Sequence, residues 1–155
     1  MNEYLLEARE ELKRLEHIIY VSLKYTRTVD VILNAVHRLM STYDWIIEAF
    51  LEEAKKKGTI EALPKTPPLR KKKLEELYPD DKEMLKYLAF YAFLKTVLSS
   101  THTKREEYRR HVALVVELNN TDVEINIDNL LNCERFVHQF FNYAWEKIVG
   151  KREED

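Results

Sequence analysis

A basic run at 65–73 is the first stretch of the sequence whose residue types could do chemistry. It carries five positive side chains and no acid, so it could hold the phosphate groups of RNA or of a nucleotide. The alternative is a solvated helix start whose charge Glu75 and Glu76 neutralise, because charge runs alone rarely specify a partner. The candidate phosphate-binding residues of this run are Arg70, Lys71, Lys72 and Lys73.

A second candidate site lies in the stretch 105–111, which reads Arg-Glu-Glu-Tyr-Arg-Arg-His. Guanidinium groups bind phosphate through a planar fork of donors, and imidazole titrates near neutral pH. Arg109 is therefore a candidate phosphate-binding residue, and Arg105 and His111 are candidate catalytic residues, for charge stabilisation and proton transfer. The alternative for His111 is a structural role at the edge of an apolar stripe, with Glu107 one turn away and able to hold its ring.

Four to five helices, with an arginine and a histidine four to six residues apart on a late helix, resemble the HEPN superfamily. In HEPN proteins that have ribonuclease activity, the matching arginine and histidine act at a cleft that usually lies between two protomers. The resemblance implies that Arg105 stabilises phosphate charge and that His111 moves the proton of a 2′-hydroxyl. It leaves open whether this chain is an enzyme.

Metal and nucleophile motifs are weak in this sequence. Glu107/His111 and Glu134/His138 are each four residues apart, a spacing that can share an ion but more often makes an intrahelical pair. On a helical wheel, Glu134 and His138 turn away from the apolar face of the last helix, so the sequence predicts no metal site. Cys133 lies in that apolar face and should behave as a small hydrophobic side chain. No glycine-rich phosphate loop is present, and no cofactor is expected.

Length and composition favour a single domain over 1–155. One cysteine excludes an intramolecular disulfide, and a net charge of −2 argues against nucleic-acid binding by bulk electrostatics while leaving local basic patches open. Two glycines and 34% charged residues give a thermophile-like composition. The first residues lack the features of a secretory signal, so we expect a cytoplasmic protein.

The run from Tyr87 to Leu94 is apolar in every direction around a helix. We therefore expect the helix that Asp80 caps, with Glu83 completing a capping box, to be the centre of a bundle and to be covered on nearly all sides. The run is much shorter than the about 20 apolar residues that cross a bilayer, so no membrane association is expected.

Apolar periodicity predicts further helices at 3–22, 29–57, 71–77, 103–118 and 128–149. Thr28 should cap the second, Thr103 with Glu106 should open the fourth, and Asp128 should cap the last. The segment 123–127 alternates like a strand but has no evident partner, so we expect an extended connector. These elements predict an all-α fold, a four- to five-helix up-down bundle with a long Pro-containing crossover at 58–73 and a frayed tail at 150–155.

Nine tyrosines and two tryptophans exceed what a slender core needs, which favours self-association as a homodimer through the central and last helices. Three classes of function remain open. The first is a HEPN-like domain that binds a nucleotide or RNA, with or without RNA cleavage. The second is a non-catalytic homo-oligomeric or protein–protein interaction module. The third is a small-ligand binder with a pocket near Tyr87, Tyr91 and Trp145.

Overall fold

Helix α3, at Val29–Lys56, is the longest element of the fold and the one against which most of the others pack. The computed structural model describes residues 1–150. Helices α1, α4, α5 and α6 and strand β2 all contact α3. In chain order the elements are α1 Glu3–His17, a π-helical turn Ile18–Ser22, α2 Leu23–Tyr25, α3 Val29–Lys56, α4 Pro67–Leu77, α5 Lys82–Ser99, β1 His102–Arg105, β2 Ala113–Leu118, β3 Thr121–Asn126 and α6 Ile127–Ile148.

Helices α1 and α3 form the antiparallel hairpin that their apolar faces predict. Asn2, which caps α1, donates from Nδ2 to the carbonyl oxygen of Ala49 near the end of α3, at 2.9 Å. Further along, Glu11 of α1 pairs with Arg38 in the middle of α3, with Oε2 and Nη1 3.3 Å apart. Thr28 caps α3 as predicted. Because the caps and the apolar stripe agree, the sequence locates both helices closely.

The predicted centre of the bundle is wrong, because α3 and not α5 occupies it. Helix α5 buries one face, whereas Phe93 is 39% exposed and Ala89 also lies in solvent. An exposed apolar side chain is common on protein surfaces, so a continuous apolar run does not require cover on every side. The buried face of α5 consists of Met84, Tyr87, Leu88, Tyr91, Leu94 and Val97.

A three-stranded antiparallel sheet replaces the predicted fourth helix at 103–118, so the fold is mostly helical but not all-α. Thr103 lies in β1 and opens no helix. Strand β2 pairs with β1 on one side and with β3 on the other, and Leu118 faces Thr121 across the hairpin turn. The run Leu114-Val115-Val116 satisfies a strand as well as a helix, because β-branched residues favour the pleated sheet.

The segment 123–127 thus has the partner that its alternation requires, and its interpretation as a lone connector is wrong. Asn119 and Asn120 both have positive φ, at 49° and 62°, as the tight turn of a β-hairpin demands. Ile125 is buried, Val123 is half-buried, and Ile127 already belongs to α6. Strands β2 and β3 therefore form a hairpin that leads directly into α6.

Two helix caps differ from the predicted ones by one or two residues. Asp81, and not Asp80, caps α5 by accepting from the N–H of Met84 at 3.1 Å. Asn126, and not Asp128, caps α6, and its side chain and that of Asn129 form a reciprocal capping box. In both cases two side chains one or two residues apart could accept the hydrogen bond, and the backbone geometry selects one of them.

The connection after α3 contains more helix than the prolines suggest. Helix α4 begins at Pro67, four residues before the predicted start, because Thr66 caps it and proline is tolerated in the first turn, where no intrahelical N–H bond is needed. The Pro-containing crossover is therefore confined to the residues between Gly58 and Thr66. The predicted tail at 150–155 lies outside the described residues except for Gly150.

Aromatic side chains fill the core between α3, α5 and α6. The ring of Phe140 lies 4.6 Å from that of Tyr87 and 5.3 Å from that of Tyr43, measured between centroids. Tyr87 and Tyr91 are at most 1% exposed and Tyr143 is 9% exposed, so these rings are packed in the core and are not presented to a second protomer. Within residues 1–150, none of the helices combines the length and the apolar character needed to span a bilayer.

Candidate anion-binding site

The loop 106–112, between β1 and β2, is fastened to the start of α3. The N–H of Tyr108 donates to the carbonyl oxygen of Arg27 at 2.6 Å. The carboxylate of Glu107 accepts from the N–H of Val29 at 3.1 Å. Glu107 therefore accepts from the first N–H group of α3, beside the cap residue Thr28. It does not hold the ring of His111 as predicted, because the stretch 105–111 is not helical.

Three basic side chains of this region line one cavity. Arg27 comes from the connection between α2 and α3, and Arg110 and His111 come from the loop 106–112. The cavity has a volume of about 270 Å³. Its remaining lining residues are Asn126, Ile127 and Asp128, which form the cap and the first turn of α6.

Helix α6 adds a partial positive charge to this cavity. The first N–H groups of a helix point outward along its axis, and with the helix dipole they favour an anion. Asp128 is the one acidic residue of the lining, and it is exposed to solvent. Two guanidinium groups, an imidazole and a helix N-terminus against one carboxylate make this an electropositive cavity.

The side chain of Arg27 supplies a donor that has no acceptor. Its Nε atom is buried and has no hydrogen-bond partner among the described residues. Leaving a buried donor unsatisfied costs about 1–3 kcal/mol.

Two exposed tyrosines lie next to the cavity along the chain. Tyr25 is 79% exposed and precedes Arg27 by two residues, and Tyr108 is 77% exposed in the loop that carries Arg110 and His111. Exposed aromatic rings beside a basic groove are the elements with which proteins stack the bases of single-stranded nucleic acids. Both tyrosines are close in the chain to cavity residues, but neither ring belongs to the cavity lining.

The pair Arg105 and His111 is not arranged as on the predicted helix. Arg105 lies in β1, where its guanidinium group forms an ion pair with Glu124 of β3. His111 lies in the loop and lines the cavity, whereas Arg105 and Arg109 are exposed and do not belong to its lining. The residues that sequence reasoning missed are Arg27 and Arg110; Arg110 stands in the same motif, but nothing local to Arg27 indicates its role.

The basic run at 70–73 is largely engaged in ion pairs within the protein. Arg70 lies 2.9 Å from Glu48 of α3 and also donates to the carbonyl oxygen of Pro64. Lys71 pairs with Glu75 at 2.8 Å, and Lys73 approaches Glu76 at 3.8 Å. The expected neutralisation by the two glutamates is confirmed, and it reduces the charge available to a ligand at Arg70, Lys71 and Lys73.

Cys133 is half-buried in α6, and burial raises the pKa of its thiol to about 11. A thiol with such a pKa is protonated at neutral pH, so it is a poor nucleophile. This agrees with the hydrophobic role that the sequence predicts for it.

Fold and site together define a mostly helical protein with a small antiparallel sheet and an electropositive cavity between the sheet loop and the last helix. No protein-family model, no curated protein and no solved structure matches the chain. The HEPN resemblance therefore stays an expectation from the sequence, and function has to be argued from the cavity.

Proposed function

We propose that the protein binds a phosphate group of a nucleotide or of RNA in the cavity formed by Arg27, Arg110, His111 and the N-terminus of α6. The observation that carries the proposal is that Arg27, Arg110 and His111 line one cavity together with the cap and first turn of α6. Guanidinium groups bind phosphate oxygens through charge-assisted hydrogen bonds, which are roughly twice as strong as neutral ones.

Each part of the cavity has a distinct role in this proposal. Arg27 and Arg110 donate to the non-bridging phosphate oxygens, and the first N–H groups of α6 face the same anion. Tyr25 and Tyr108 offer exposed ring faces to a base that leaves the cavity. The HEPN resemblance would add proton transfer by His111, while the partner that it implies, Arg105, is held by Glu124.

The test measures binding of a fluorescently labelled single-stranded RNA oligonucleotide by anisotropy, with ADP and inorganic phosphate as competitors. Arg27→Gln and Arg110→Gln should each weaken binding by about 10- to 100-fold, because each removes a charged hydrogen bond of about 1.5–3 kcal/mol. Competition by inorganic phosphate indicates a phosphate site, and stronger competition by ADP than by inorganic phosphate indicates that a base contributes to binding, as expected if it stacks on the flanking tyrosines.

The matched control is Arg109→Gln, in the same loop and with the same loss of charge but outside the cavity lining. It should change the affinity by less than about threefold, as expected of an exposed charge. Equal losses in all three variants would show that the loop attracts RNA only by bulk charge. No measurable binding of RNA, ADP or phosphate by the unmodified protein would refute the proposal.

A homo-oligomeric module is the second candidate function, and one exposed apolar stretch favours it. Tyr20, Val21 and Tyr25 are 53%, 40% and 79% exposed along the π-helical turn and α2. Neighbouring exposed apolar side chains often mark an interaction surface. Sedimentation of the protein and of Tyr20→Ser/Val21→Ser at equal concentration tests this: a dimer that the double variant loses supports the module, and a monomer in both excludes it.

A further inference from the structure

Three metal-ligating side chains from two helices converge at the end of α1. Glu134 and His138 lie one turn apart on α6, and Glu16 reaches them from α1. The Nε2 atom of His138 lies 2.7 Å from Oε1 of Glu16 and 3.0 Å from Oε1 of Glu134. One ligand atom of each residue lies within 4.8 Å of the other two.

This arrangement corrects the helical-wheel prediction for Glu134, which turns inward and is 6% exposed. The expected intrahelical pair between Glu134 and His138 is confirmed. The sequence pattern did not indicate that Glu16 joins this pair, because Glu16 is 122 residues away from His138 along the chain. The packing of α1 against α6 brings the third side chain to the pair.

Hydrogen bonding alone leaves this group incomplete. The Nε2 atom of an imidazole carries at most one hydrogen, so it cannot donate a full hydrogen bond to both carboxylates. Even with a protonated imidazole, two ionised carboxylates and one cation leave a net charge of −1 on the group, and Glu134 is buried. A divalent cation at the position shared by the three ligand atoms would neutralise both carboxylates at once.

The surroundings of the group resemble the support that metal ligands have in proteins. The hydroxyl of Tyr20 donates to the other oxygen of Glu134, Oε2, at 3.2 Å. Such an outer hydrogen bond fixes the orientation of a ligating carboxylate. Tyr20 takes this position from the π-helical turn that follows α1, and π-helical turns occur frequently at functional sites.

We infer that Glu16, Glu134 and His138 form a binding site for a divalent transition metal, with Zn²⁺ as the best match. Two carboxylate oxygens and one imidazole nitrogen are a ligand set that Zn²⁺ accepts, and water completes four-coordination. Zinc bonds of about 2.0–2.2 Å require ligand atoms to lie somewhat over 3 Å apart. The two contacts of His138, at 2.7 and 3.0 Å, therefore need to widen by only a few tenths of an ångström. This inference is independent of the phosphate cavity.

The experiment titrates the chelator-treated, dialysed full-length chain with Zn²⁺ by calorimetry and with Co²⁺ by visible absorption. The unmodified protein should bind one ion per chain, and Co²⁺ should give the absorption of a low-symmetry site. Glu16→Gln and His138→Gln should each abolish or weaken binding by more than about tenfold. Tyr20→Phe should weaken it by about 10-fold, as expected for a residue that only orients a ligand.

Glu10→Gln and His37→Gln are the matched controls, because both residues are exposed and outside the group. They should leave affinity and stoichiometry unchanged. Since Glu16 and His138 are themselves 38% and 36% exposed at the side chain, their variants should fold, which far-UV circular dichroism checks. Absence of saturable binding in the unmodified protein, or equal binding in His138→Gln, would overturn the inference and leave an ordinary ion pair.

Discussion

Tyr43 and Tyr91 lie next to each other in the core, with ring centroids 6.2 Å apart, yet their hydroxyl groups have different surroundings. The hydroxyl of Tyr91 donates to the carboxylate of Asp44. The hydroxyl of Tyr43 is buried without a hydrogen-bond partner in the described part of the chain. Burial raises the pKa of both phenols, so both are neutral at any ordinary pH.

This difference predicts opposite effects of the same substitution. Tyr43→Phe should leave the free energy of unfolding unchanged or raise it by up to about 1 kcal/mol. The substitution removes a hydroxyl that is buried without a compensating hydrogen bond. Tyr91→Phe should destabilise it by about 1–3 kcal/mol, because it leaves the half-buried carboxylate of Asp44 without its donor. Urea unfolding of the two variants measures both values.

Each variant is the control for the other, since both remove one oxygen from a core tyrosine. A loss of stability of more than about 1 kcal/mol in Tyr43→Phe would mean that its hydroxyl has a partner, for example a buried water molecule. An unchanged stability in Tyr91→Phe would show that Asp44 is satisfied by other groups.

At the scale of elements, the start of α6 serves both the fold and the cavity. Asn126 and Asn129 satisfy two backbone N–H groups at this helix end through reciprocal hydrogen bonds of 2.8 and 3.0 Å. The same first turn lines the cavity with Asn126, Ile127 and Asp128. A well-fixed helix start is what an anion site of this kind requires, because the N–H groups must already point at the ligand.

The capping box predicts a stability difference between neighbouring residues. Asn126→Ala should destabilise the protein by about 1 kcal/mol, as the loss of a helix cap does. Asp128→Ala, at the position that the sequence alone favours as the cap, should cost less than about 0.5 kcal/mol, the smaller value expected for a charge near a helix N-terminus. Thermal and urea unfolding compare the two variants. The reverse order would mean that Asp128 is the cap in solution.

The sheet is the element that local sequence patterns describe least well. The stretch Ala113–Leu118 is apolar enough for a helix and β-branched enough for a strand, so its own residues do not decide between them. Pairing with β1 and β3 decides, because the backbone N–H and C=O groups of β2 are satisfied on both edges. The wrong prediction that Arg105 and His111 share a helix follows directly from this ambiguity.

At the scale of the whole molecule, a net charge of −2 is combined with one electropositive cavity. A slightly acidic protein repels a polyanion at long range, so binding of RNA has to come from local contacts. The number of phosphates that such contacts neutralise determines how strongly affinity falls with salt.

The proposed cavity therefore predicts that the affinity for RNA falls only weakly with salt concentration, and that removing one phosphate contact reduces this dependence by a fixed amount. For single-stranded RNA, the plot of the logarithm of the association constant against the logarithm of salt concentration has a slope of about −0.7 per phosphate contact. Arg110→Gln should reduce the magnitude of the slope by about 0.7, and Arg109→Gln should leave it unchanged. Equal slopes in all three proteins would assign the phosphate contacts to residues outside the cavity.

The sequence by itself determined the helices whose evidence is local. The apolar faces of α1, α3 and α6 repeat at helical spacing, and Thr28 marks where α3 begins. The bounds of α3 and α6 are therefore predicted to within one residue, whereas the helix predicted over 3–22 changes at Ile18 from α1 into a π-helical turn. The intrahelical pair of Glu134 with His138 and the neutralisation of the basic run by Glu75 and Glu76 are local as well. All of these depend on residues no more than a few turns apart.

Only the tertiary structure decided which helix is central, that 102–126 forms a sheet, and which distant side chains meet. Arg27 joins Arg110 and His111 because the loop 106–112 binds the start of α3, and Glu16 joins His138 because α1 packs on α6. The physical reason is the same in each case. Strand pairing and convergent sites depend on contacts between residues far apart in the chain, and no local periodicity records them.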